Sequence, residues 1–178
     1  MSVRKHTTHP EDPEHNSKRS GHWKSVQREF ISQHPVCEAC GCKPVNVHHQ
    51  IPFHYVTAVG RPDLELEVSN LITLCVDHVE QHHLLLGHLD NFKSYNPNVT
   101  SDVEKYGKMT RKQILNDREF RVKMKKRPPP VDQMTKQQKD NLRKYLDKRF
   151  PPGIHESTRS RKKARRDLHL SGYPKHTL

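Results

Sequence analysis

Apolar residues first recur at helical spacing over residues 22–33, where Trp23, Val26, Phe30 and Ile31 share one side of a short amphipathic helix closed by Pro35. The pattern then changes. Val45 to Ile51 alternates as a strand would, with Pro52 ending it, and Leu71 to Cys75 is a second short β-rich run. Residues 53–69 between them, with Gly60 and Pro62, read as a loop. From Val79 to Leu89 a helix is expected, with Leu84, Leu85 and Leu89 on its buried side. The order is strand, loop, strand, helix.

Further on, Thr110 and Thr135 are placed to cap helices over residues 111–126 and 136–149. Ile114, Leu142, Tyr145, Leu146 and Phe150 give these helices a modest apolar face, and Pro128-Pro129-Pro130 forms a stiff link between them. Only 31% of the 178 residues are apolar and 6% aromatic, too few to bury a large core throughout. The expected fold class is therefore α+β: a small metal-stapled unit over residues 21–100, then basic helices over 101–150. Disordered segments are expected at 1–20 and 151–178.

The net charge of +12 is unevenly spread. Residues 37–100 carry seven acidic against three basic side chains, while residues 101–178 carry twenty-three basic against nine acidic. Basic segments of this kind supply sequence-independent affinity for phosphates. The residues expected to do so are Lys123, Lys125, Lys126 and Arg127, and in the tail Arg161, Lys162, Lys163, Arg165 and Arg166. The plainer alternative is a solvated helix face and a solubilising tail.

Four cysteines stand against fifteen histidines. The first residues hold no apolar export segment, and no run is long enough to span a membrane, so a cytoplasmic setting is expected. Thiols stay reduced there, and Cys37-x-x-Cys40 near many histidines favours zinc over a disulfide. Gly41 stands where a zinc knuckle turns.

Cys37-Glu38-Ala39-Cys40 is followed by Val47-His48-His49-Gln50-Ile51-Pro52, then Ser69-Asn70-Leu71-Ile72-Thr73-Leu74-Cys75, then His82-His83. From Trp23 to about Asn98 this series resembles the HNH endonucleases, the ββα-metal nucleases. Leu86-Gly87-His88 and Asn96-Pro97 resemble a phage and bacterial branch of that family.

The resemblance implies a metal-dependent endonuclease acting on nucleic acid, with double-stranded DNA as the expected substrate. His49 matches the general base that takes a proton from water. His48 and His83 match the ligands of a single catalytic divalent metal, Mg²⁺, Mn²⁺, Ni²⁺, Co²⁺ or Zn²⁺, which neutralises the phosphate and the leaving oxygen. Imidazole ligands suit the later ions of that series better than Mg²⁺. Successive strand residues face opposite ways, so the His48-His49 pair is expected where the strand ends and the backbone turns. Asn70 matches the middle residue, which ties the loop to the backbone and steadies the base.

Cys37, Cys40 and Cys75 supply three ligands of a structural zinc and leave a fourth to be found. Here the sequence departs from the family's usual closing element. Aligned without a gap, the fourth ligand is His78 and the catalytic histidine becomes Val79, which cannot bind metal. A longer turn over Val76 to Gln81 instead brings His82 to the zinc and His83 to the catalytic metal, and this is preferred; His78 is the runner-up. Cys42 is left as a spare thiol. His54 and His88 are given no firm role and are read as surface residues, second-sphere partners or phosphate contacts. A zinc-containing nucleic-acid-binding module without catalysis is the alternative function. Oligomeric state and sequence preference are open.

Overall fold

The computed structural model describes residues 19–77 and 79–151. Trp23–Gln33 forms helix α1 on the expected apolar spacing. Phe30, Trp23, Val26 and Ile31 pack against Val47 and Leu71 of the sheet beneath. Burying a ring such as Phe30 contributes about 2 kcal/mol.

The sheet has two antiparallel strands, β1 (Val45–His49) and β2 (Leu71–Cys75), with Val45 opposite Cys75 and His49 opposite Leu71. Strand alternation assigns its two faces. Val47 and Leu71 lie under α1. Ile72 and Leu74 lie on the other face, in the core that also holds Cys37, Leu85, Leu86, Tyr106 and Phe120.

Residues 53–69 are not an open loop. Phe53–Ala58 forms a short helix α2, and single 3₁₀ turns follow at Pro62–Glu65 and Val68–Asn70. The reason is burial: Phe53, Tyr55, Val56 and Leu64 form a second core with Leu142, Leu146 and Phe150. Six residues are too few to display a helical period.

The helix expected over 79–89 is shorter and differently wound. The Asp77 carboxylate accepts the backbone N–H groups of Val79 and Glu80 at 2.7 and 2.9 Å, which holds that stretch in a turn. Helical structure then takes the form of a π turn over His83–Gly87. It stops where Leu89 and Asp90 take left-handed backbone angles, φ 50° and 60°.

Helix α3 (Val99–Tyr106) has no counterpart among the expected elements. The helix expected over 111–126 is two: α4 (Arg111–Asn116) and α5 (Arg118–Lys125). Asp117 divides them, since its extended backbone ends α4 while its carboxylate caps α5 at Phe120 N. Helix α6 (Lys136–Arg149) has the expected bounds, started by a reciprocal Thr135–Gln138 capping box. The proline link is fixed to the body, with Pro128 and Pro129 carbonyls accepting from Ser94 Oγ and Tyr55 Oη.

The described architecture is thus α+β, helices around a two-stranded sheet. Among the described residues no helix is long and apolar enough to cross a membrane. Of the amino-terminal stretch expected to lack structure, Arg19 and Ser20 are placed, both bonded to the Glu65 carboxylate. Residues 1–18 and 152–178 of the two segments expected to be disordered lie outside the described residues, and with them Arg161, Lys162, Lys163, Arg165 and Arg166, as does His78.

Two candidate metal centres

The knuckle closes through Gly41 at φ 72°, whose N–H donates to Cys37 O at 2.8 Å. It is docked on β2 by Glu38 N to Thr73 O at 2.9 Å and by Thr73 Oγ1 to Val36 O at 2.7 Å. Cys37 and Cys40 thereby meet Cys75 at the end of β2, and the turn after it returns His82 to them.

Cys40 Sγ lies 3.9 Å from Cys75 Sγ, and His82 Nδ1 lies 3.3 Å from Cys75 Sγ and 3.7 Å from Cys37 Sγ. A tetrahedral zinc with ordinary Zn–S and Zn–N bonds has edges of about 3.5–3.8 Å, so the four donors fit the ion. Cys37, Cys75 and His82 are at most 1% exposed. The Cys37 thiol is held down at about 3, chiefly by the Cys75 S–H, while burial pushes Cys40 up to about 12 and contact with Cys37 pushes Cys75 up further. A dication among the four donors would stabilise all three sulfurs as thiolates. His82, the preferred fourth ligand, is where the longer turn was expected to bring it. Cys42 is exposed and stands apart, its Sγ directed at Cys40 O.

His48 and His49 are consecutive residues of β1 and point to opposite faces. They are the last two residues of the strand, where the pair was expected, and the chain bends at Gln50 just beyond them. His48 faces the π turn, where its ring centroid lies 5.1 Å from His83 and 4.8 Å from His88. His83 and His88 are 5.0 Å apart, and the three rings meet edge to face. Their ring nitrogens lie within 4.8 Å of one another.

This trio fits a metal on three further grounds. His48 Nε2 is buried with no hydrogen-bond partner, a costly state for an imidazole nitrogen. His88 Nδ1 is bonded to Ser94 O at 2.7 Å, which leaves Nε2 as its ligand atom and orients the ring. Burial, reinforced by His88 and His83, holds His48 well below its usual titration range, so it is a neutral donor. Gly87 makes room: a Cβ there would lie 2.9 Å from His48 Cε1. His88 is thus 8% exposed and part of the cluster, not the surface residue expected.

On the other face His49 stacks on Trp23, ring centroids 4.5 Å apart, and its Nε2 meets Glu65 O at 3.0 Å. Burial pushes its ring down to about 4. Asn70 is fully buried, its Oδ1 accepting Ile51 N at 2.9 Å and its Nδ2 donating to Ile51 O at 3.1 Å and Leu64 O at 3.2 Å. It fixes the backbone beside Glu65, and Glu65 in turn meets His49. Glu65 and Trp23 were not among the expected site residues: a backbone carbonyl carries no side-chain signature, and Trp23 reads as helix packing.

Of the basic candidates, Lys123 is engaged with Asp102 and Glu119, and Arg127 donates to Leu89 O at 2.8 Å. Lys125 and Lys126 are exposed on α5 and just past its end. Comparison with protein-family models, curated proteins and solved structures finds no match to this chain.

Proposed function

We propose that the chain is a metal-dependent endonuclease of the HNH kind that hydrolyses DNA phosphodiester bonds. The observation that carries this reading is His49 Nε2 at 3.0 Å from Glu65 O, on the strand that also brings His48 to His83 and His88. A carbonyl can only accept, so in the neutral ring Nε2 holds the hydrogen and Nδ1 keeps the lone pair. Nδ1 is then the atom that takes a proton from water as its oxygen attacks phosphorus; the P–O bond to the leaving oxygen breaks, and that oxygen takes a proton from solvent. For one phosphate to meet both Nδ1 and the imidazole cluster it has to lie across the end of β1, where His48 and His49 leave opposite faces of the strand. His48, His83 and His88 would hold a divalent cation, which would supply positive charge for the phosphate and the leaving oxygen. Three imidazoles favour Mn²⁺, Co²⁺, Ni²⁺ or Zn²⁺ over Mg²⁺. Asn70 keeps the Glu65 carbonyl in place, and the zinc among Cys37, Cys40, Cys75 and His82 holds the scaffold.

Plasmid nicking by the full chain with each of these ions tests the proposal, beside His49→Ala and His88→Ala. The expected result is ion-dependent nicking that both variants lose. Wild type that never nicks, whatever the ion, overturns it.

One observation favours the second reading, a zinc-containing module that binds nucleic acid without cutting it: His49 is only 7% exposed, with Trp23 against its ring. That reading predicts salt-dependent binding to DNA that His49→Ala leaves intact.

A further inference from the structure

Beside the three-histidine cluster one large apolar side chain is turned outward. Phe92 is 41% exposed, and its ring centroid lies 5.0 Å from that of His88 and 6.0 Å from that of His83. It is not a member of the buried cores.

Its placement is nevertheless fixed. The preceding residues Leu89 and Asp90 take left-handed backbone angles, φ 50° and 60°, which an Asp adopts readily but a Leu seldom does unless its surroundings hold it there. Arg127 donates to Leu89 O at 2.8 Å, and Arg111 pairs with the Asp90 carboxylate at 2.7 Å. Asn91 then closes the bend, its side chain accepting Lys93 N at 2.9 Å and its carbonyl accepting Ser94 N at 2.9 Å. Ser94 O is the group that orients His88. The bend that aligns a metal-binding histidine thus carries at its tip a half-exposed aromatic ring, followed by the exposed Lys93.

We infer that Phe92 is a substrate contact: a stacking platform for an unpaired DNA base next to the phosphate held at the histidine cluster. This deepens the nuclease reading and rests on it for the identity of the ligand. An aromatic ring accepts any base by its face, without reading sequence, and a cation beside it meets the adjoining backbone. A base inside a duplex has both faces covered by its neighbours, so the contact selects single-stranded or locally opened DNA.

The test is fluorescence anisotropy with a labelled single-stranded oligonucleotide and with its duplex, without added divalent ion, on the full zinc-loaded chain. Wild type is compared with Phe92→Ala, Phe92→Leu and Phe92→Trp. Zinc content and circular dichroism report folding, and a Co²⁺ titration reports the histidine cluster. The expected result is that Phe92→Ala and Phe92→Leu weaken single-strand binding about tenfold. Duplex binding changes less than twofold, Phe92→Trp restores the affinity, and Co²⁺ affinity does not move. Equal loss on both DNAs overturns the inference. So does a fall in Co²⁺ affinity with DNA binding unchanged, which makes Phe92 only a wall of the metal site, or wild type that does not bind the single strand. Binding that depends on Phe92 in a chain that never cuts supports the platform and removes the nuclease reading; cutting that is indifferent to Phe92 does the reverse.

Discussion

His83 and His88 are five residues apart in the chain and yet bring their rings to 5.0 Å. Five steps along an α-helix turn about 500°, which leaves two side chains roughly 140° apart. The π turn over His83–Gly87 is wound more loosely, so position i+5 returns to the face of position i. The local winding, not the spacing alone, brings the pair together as candidate ligands. His88→Ala is therefore expected to weaken Co²⁺ or Ni²⁺ binding at the cluster at least tenfold, since even outer partners of a ligand are worth that much. Tightly held zinc should be unchanged. Calorimetric titration of the zinc-loaded protein checks both.

Cys75 lies within reach of both Cys40 and His82, so one substitution removes the donor shared by the knuckle and the turn. Cys75→Ser is expected to lose the zinc and, with it, cooperative thermal unfolding, because binding free energy at such a site is folding free energy. Elemental analysis and a calorimetric melt are the measurements; a variant that retains wild-type zinc and melting contradicts the assignment.

Asn70 satisfies three buried backbone groups with one side chain. Asn70→Ala strands them, and each buried polar group left unpaired costs about 1–3 kcal/mol. A loss of about 3 kcal/mol or more in urea unfolding is expected. Asn70→Asp should be little better, since it accepts from Ile51 N but sets a carboxylate against two carbonyl oxygens.

Gly87→Ala places a methyl group 2.9 Å from His48 Cε1. The His48 ring or the turn itself has to shift, and overpacking of this kind costs about 1–3 kcal/mol. Weaker binding of the second ion with the zinc retained is the expected outcome, read by Co²⁺ absorbance beside zinc content.

The Asp117 carboxyl is held below its usual value of 3.8, first by the Phe120 N–H that it caps. A depressed folded value means that its contribution is complete above the unfolded value. It is lost as the pH falls from about 4 through the folded value. Asp117→Asn, which keeps an acceptor for the cap, should flatten the fall of melting temperature below that pH, and Asp117→Ala should lower it at neutral pH as well.

The zinc set was legible because thiol chemistry and spacing constrain it strongly: Cys37, Cys40 and Cys75 announce themselves, and His82 follows once the turn before it is lengthened. α1, β2 and α6 were legible because each buries a regular apolar pattern or starts from a capping box. His88 was not, since a helical wheel of the ordinary pitch turns it away from His83. Glu65 was hidden because it acts through its carbonyl, and Asp117 because a cap inside an apolar period looks like one more surface residue. The compact course of residues 53–69 depends on Leu142, Leu146 and Phe150, more than seventy positions later.

His82 and His83 are joined by one peptide bond, the first serving the thiol cluster and the second the imidazole cluster. If both clusters hold ions, a freshly made chain would face an order of loading. Closing the thiols on His82 would add a further anchor at the start of the π turn, beside the Asp77 carboxylate that already holds Val79 and Glu80, and would complete the cage offered to a second ion. Supply of one metal would then become a licence for the other, and an oxidant that attacks the thiols would disarm a centre that contains no sulfur.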